Sequence, residues 1–131
     1  MKYTLLIGRI LFSIMFLMTP MGLFSSGAIQ YAASAGVPLA SVLVPLSGIM
    51  AFIGAVSIII GYKAKIGAWL IVLFLVPVTF MMHQFWSVSD PMSRQMEMTE
   101  FMKNLSMTGG ALLIAYWGAG PMSLDNKIRV N

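Results

Sequence analysis

The sequence predicts an all-α integral membrane protein, a four-transmembrane-helix bundle with both termini cytoplasmic. Three observations carry that expectation. Of 131 residues, 59% are hydrophobic and 9% charged, against roughly 45–50% apolar and 25% charged in soluble domains. Four stretches have the length and apolar content of a bilayer-crossing helix, about 20 residues. Most of the basic residues flank those stretches on one side. At this length the chain is expected to form a single membrane domain over residues 1–131.

The first stretch runs from about Leu5 to Phe24 and contains one charge, Arg9. The second, about Leu39 to Gly61, contains none. The third covers about Ile66 to Trp86 and ends in His83-Gln84-Phe85-Trp86, and the fourth covers about Glu100 to Ala119 with Lys103 and Asn104 near its start. Strands would alternate apolar and polar residues, and Ser57-Ile58-Ile59-Ile60-Gly61 does not. The N-terminal run also resembles a secretory signal, with Ser26-Gly27-Ala28 as its small-residue site. A signal's apolar core is about 7–15 residues, and this run is longer and interrupted by Arg9. Removal of the run would leave three helices.

Lys2 and Arg9 open the first helix, Lys63 and Lys65 lie between the second and third, and Lys127 and Arg129 follow the fourth. The connection Ser25 to Pro38 is uncharged, and that between the third and fourth helices holds Asp90, Arg94 and Glu97. The positive-inside rule then puts both termini in the cytoplasm and the two longer connections outside. The net charge of +4 is therefore a topology signal. It forms no basic stripe, so nucleic acid is not an expected partner.

Composition removes several chemistries. With no cysteine and one histidine, the chain cannot make a disulfide, an iron–sulfur cluster, a zinc–thiolate site or a His–His metal pair by itself. No intrinsic cofactor is expected. There are thirteen methionines, and Met92, Met96, Met98, Met102 and Met107 gather around the outer connection and the start of the fourth helix. Thioethers favour Cu(I), so His83, Met92 and Met96 make a candidate copper site. The competing reading is that methionine is a flexible apolar filler.

Pro20, Pro45 and Pro77 fall within or near the ends of apolar spans, where each frees a carbonyl. Ser47, Ala51 and Ala55, and likewise Ala111, Ala115 and Ala119, recur at every fourth residue. Such stripes let helices approach closely, inside the bundle or between copies in a homo-oligomer. Asn104 continues the Ala111–Ala115 face and is expected to point inward, with Lys103 rotated away by about 100°. His83, Gln84, Trp86, Glu100, Lys103 and Asn104 then form a polar cluster at the outer end of the third and fourth helices. That cluster reads either as an interfacial belt or as a ligand site.

Several segments together resemble the DoxX family of small bacterial inner-membrane proteins. They are Gly8-Arg9-Ile10-Leu11 with Phe16, Gly36-Val37-Pro38, Gly48, Gly54 and Gly61. The back half adds His83-Gln84-Phe85-Trp86, Glu100-Phe101-Met102-Lys103-Asn104-Leu105, Gly109-Gly110-Ala111-Leu112-Leu113 and Ser123-Leu124-Asp125. The resemblance implies four membrane helices and an association with respiratory redox work. It departs from the family where a helix-2 glutamate is often found, which is Ala51 here, and where a lysine is common after the first helix's glycine, which is Leu23.

Without that glutamate, Arg9 lies inside the membrane region without an obvious partner. Asp125, the only acid on the same side, is expected to pair with it, or else Arg9 reaches lipid phosphate. Three functions follow. The first is a redox-associated subunit contacting quinone through His83, Gln84, Trp86, Lys103 and Asn104, accessory to a quinone-linked oxidoreductase because it has no redox centre of its own. The second is a scaffold acting through helix packing, and the third is an oligomeric transporter.

Overall fold

The computed structural model describes residues 1 and 3–130; Lys2, one of the basic residues behind the expected topology, lies outside them. The described chain is all helical: α1 Thr4–Leu17, α2 Thr19–Leu23, α3 Ser26–Ser34, α4 Ala40–Ile60, α5 Ala64–Met82, a 3₁₀ turn Phe85–Ser87, α6 Pro91–Trp117 and α7 Leu124–Val130. Among the described residues, three stretches are long and apolar enough to cross a membrane: Thr4–Leu23, Ala40–Ile60 and Ala64–Ser87.

Local chemistry explains the boundaries. Pro20 has no N–H to continue the ladder of α1, so the helix breaks at Met18 and restarts as α2. Within the uncharged Ser25–Pro38 connection, the Ser25 hydroxyl accepts from Ala28 N and starts α3. Gly61, at φ +70°, ends α4 in the left-handed conformation, and Gly61 N and Tyr62 N both donate to Ser57 O. A Cβ there would collide with Ser123 and Arg9, so Gly61 is also a point of close approach.

The fourth helix begins well before Glu100. Asp90 accepts from Ser93 N at 2.9 Å and Pro91 occupies the first turn, where its missing N–H costs nothing. With 27 residues, α6 is about 40 Å long, roughly 10 Å more than a hydrocarbon core. Its first turns carry Arg94, Glu97 and Glu100, and it is not among the three apolar spans.

α4 packs on α1 and α5, and α5 packs on α6. Small residues set the spacing: Ala51, Ala55, Ala68 and Ala111 are fully buried around Phe16, Ile58, Ile71 and Leu75. Gly54 and Gly67 face each other so closely that a Cβ on Gly54 would lie 2.7 Å from Gly67 O. The Ala51–Ala55 and Ala111–Ala115 stripes are therefore used inside this chain. Large side chains such as Leu11, Ile53, Leu73 and Leu113 face outward, as expected where the surrounding solvent is lipid.

Candidate functional site

Polar side chains gather at the two ends of the helices. At one end, α5 terminates at His83 and the 3₁₀ turn brings the chain round to α6. His83 Nδ1 lies 2.8 Å from Glu97 Oε2. A carboxylate can only accept, so Nδ1 carries the shared proton. The other Glu97 oxygen accepts a long 3.5 Å bond from the Tyr31 hydroxyl of α3. Burial, then the charge of Glu97 and that bond, push the Tyr31 pKa up. One carboxylate thus joins α3, α5 and α6.

The sequence-derived residues surround this junction. Gln84 Nε2 donates to Phe80 O at 3.1 Å. Trp86 stacks edge-on with Phe85 and Phe101, and Phe101 also meets Phe80. Lys103 Nζ is 2.5 Å from Glu100 Oε2, one turn earlier on the same helix. Asn104 is 6% exposed and faces inward, while Lys103 is exposed. The helix and the aromatic cluster bring His83, Gln84, Trp86 and Asn104 to one end, with Lys103 turned toward the outside.

Glu97, Tyr31 and Phe101 were absent from the predicted cluster. The Asp90-Pro91 start of α6 was the available signal, since a helix from Pro91 puts Glu97, Phe101 and Asn104 on one face at i, i+4, i+7. Of the candidate copper ligands, His83 has its Nδ1 on Glu97, and Met92 and Met96 are 76% and 65% exposed on the first turns of α6. Among the described residues no group of three or more His, Cys, Asp or Glu side chains could hold a metal ion.

The other end is built on Arg9. The residue is 4% exposed. It donates from Nη2 to Met122 O at 2.6 Å and Pro121 O at 3.5 Å, and from Nη1 to Ile58 O at 3.4 Å. Nε of Arg9 and Oγ of Ser13, one turn apart on α1, are buried without a hydrogen-bond partner among the described residues. Asp125 accepts from Lys63 N at 2.7 Å and Ala64 N at 2.9 Å, and its own N–H donates to Gly61 O at 2.7 Å. Asp125 therefore caps α5, and its charge acts on Arg9 from the same junction. The expected direct ion pair is replaced by two sets of backbone contacts, because the α5 amides are nearer and otherwise unpaired.

The SURF4 family profile matches residues 1–130. The chain belongs to the SURF4 family. It is a multi-pass membrane protein of that family, and this corrects the resemblance to DoxX. Escherichia coli inner membrane protein YphA is 29% identical over 94% of this chain and 89% of its own length. Inner membrane protein YqjF of the same organism is 31% identical over 95% of this chain and 91% of its own. The Surfeit locus protein 4 homolog of Schizosaccharomyces pombe is 31% identical over 98% of this chain. The ER-derived vesicles protein ERV29 of Saccharomyces cerevisiae is 32% identical over 63%. The chain spans 38% and 26% of the lengths of those two yeast relatives. No solved structure matches.

Proposed function

We propose that this protein is a four-span scaffold of the bacterial inner membrane, with both termini cytoplasmic, that works by packing against another membrane polypeptide. The observation that carries this reading is the self-pairing of the His83 end. His83 Nδ1 is bound to Glu97 and Lys103 to Glu100, so the two ionisable groups among those expected to meet a quinone are engaged by acids of their own chain. Nothing in the SURF4 family match supports a quinone role. Two full-length bacterial relatives are named as inner membrane proteins, which supports the location. Lys63, Lys65, Lys127 and Arg129 at the end opposite His83 support the orientation.

In this reading α6 is the fourth span, and its first turns stand outside the bilayer. Exposed Met92 and Met96 give that projecting helix an adaptable apolar face. The test is native mass spectrometry of the protein released from its own membrane in mild detergent. The scaffold reading expects a second polypeptide at fixed stoichiometry above the 14.3 kDa chain mass. A lone chain, or a ladder of weak self-association, contradicts it.

A further inference from the structure

A groove of about 390 Å³ opens at the end opposite His83, between the start of α5, the end of α6 and α7. Its polar wall carries Lys63, Lys65 and Arg129. Among the described residues the only carboxylate lining it is Asp125, whose two oxygens are engaged by the amides of Lys63 and Ala64. None of the three cations has a salt-bridge partner among the described residues. The stem of Lys65 lies over Gly118, its Cε 3.4 Å from where a Cβ would stand, which holds the ammonium at the groove wall. The apolar wall is made by Ile66 of α5 and Trp117 of α6, both exposed.

We propose that this groove binds the phosphate of an anionic phospholipid headgroup, the acyl chains running along Ile66 and Trp117. Three cations without a salt bridge among the described residues, one of them (Lys63) over the Tyr62 ring at 5.6 Å, stand around one engaged carboxylate and supply the attraction for a phosphate anion. A basic pocket between helices at the membrane surface is suited to such a headgroup. The adjoining apolar wall distinguishes a lipid from free phosphate, because only the lipid fills both halves of the groove. Trp117 ends α6 beside these cations, and an indole ring is suited to the headgroup level.

The test uses the full chain with Trp69→Phe and Trp86→Phe, so that Trp117 is the only indole. It is placed in phosphatidylcholine vesicles doped with brominated phosphatidylglycerol, and quenching of Trp117 is titrated. Quenching is expected at lower mole fraction than with brominated phosphatidylcholine. The preference should fall about fivefold for each charge removed in Lys65→Gln and Arg129→Gln and persist in Lys65→Arg with Arg129→Lys. Because Arg129 is exposed on α7, Arg129→Gln alone serves if the double variant fails to fold. Equal quenching by the two lipids, or equal preference in wild type and Arg129→Gln, overturns the proposal. Displacement by millimolar inorganic phosphate overturns the lipid assignment in favour of a free anion.

Discussion

Arg9 holds the carbonyl of Met122 at 2.6 Å across 113 residues of chain. The same guanidinium reaches the Ile58 carbonyl near the end of α4. An arginine in an apolar span is unfavourable unless its donors find partners, and here the two Nη groups fasten α1 to α4 and to the segment before α7, while Nε has no partner among the described residues. Arg9→Met should lower stability in detergent by about 2 kcal/mol, the scale of a charged hydrogen bond lost from a buried site. Arg9→Lys should restore little of it, because one ammonium cannot span several carbonyls. Thermal unfolding followed by circular dichroism reads both.

Asp125 does for α5 what a capping side chain does at any helix start, but from 62 residues away. Asp125→Ala should cost about 1 kcal/mol and speed hydrogen exchange at the amides of Lys63 and Ala64. Unchanged exchange at those two amides would show that the cap does not form in solution.

The α4–α5 contact depends on the absence of two side chains. Gly54→Ala places a Cβ against the backbone oxygen of Gly67, which no side-chain rotation can relieve, and should cost about 1–3 kcal/mol. Gly109→Ala meets nothing within 4 Å and should be neutral or stabilising through helix propensity. Equal melting temperatures for the two variants would contradict this packing.

How much of this was legible in the residues depends on the kind of interaction. The apolar spans around α1, α4 and α5, the inward face of Asn104 and the small-residue spacing at Ala51, Ala55, Ala111 and Ala115 follow from periodicity, and the structure has them. The Ser25–Ser34 segment has neither charge nor a sharp apolar stripe, so α3 was invisible without its Ser25 cap. Arg9 and Asp125 lie at one junction, but each is hydrogen-bonded to backbone groups and not to the other. Which backbone groups remain open for them is set by how Gly61 and Met122 turn the chain, and pairwise charge reasoning does not contain that.

Asp90 offers a pH dependence with a definite sign. Its hydrogen bonds from Ser93 hold the carboxyl pKa below the ordinary value. A group depressed in the folded state stabilises it fully above its unfolded pKa, and that contribution is lost as pH falls through the folded pKa. The first turn of α6 should therefore stay ordered through the neutral range and fray only in acid below the usual carboxylate titration. Hydrogen exchange at the Ser93 amide, compared with Asp90→Asn, checks this: the variant should show no such acid step.

His83 and Glu97 should behave as a coupled pair. A double-mutant cycle with His83→Ala and Glu97→Ala should give a coupling of about 1 kcal/mol for this half-buried contact, and Tyr31→Phe should weaken it. Additive losses would mean that the two side chains do not meet.

The central claim is that the His83 end binds its own chain rather than a ligand. It is tested most directly by purifying wild type and His83→Ala with their endogenous lipids and measuring quinone in the extracts by mass spectrometry. The scaffold account predicts the same trace quinone in both. Stoichiometric quinone in wild type that disappears in His83→Ala would contradict it.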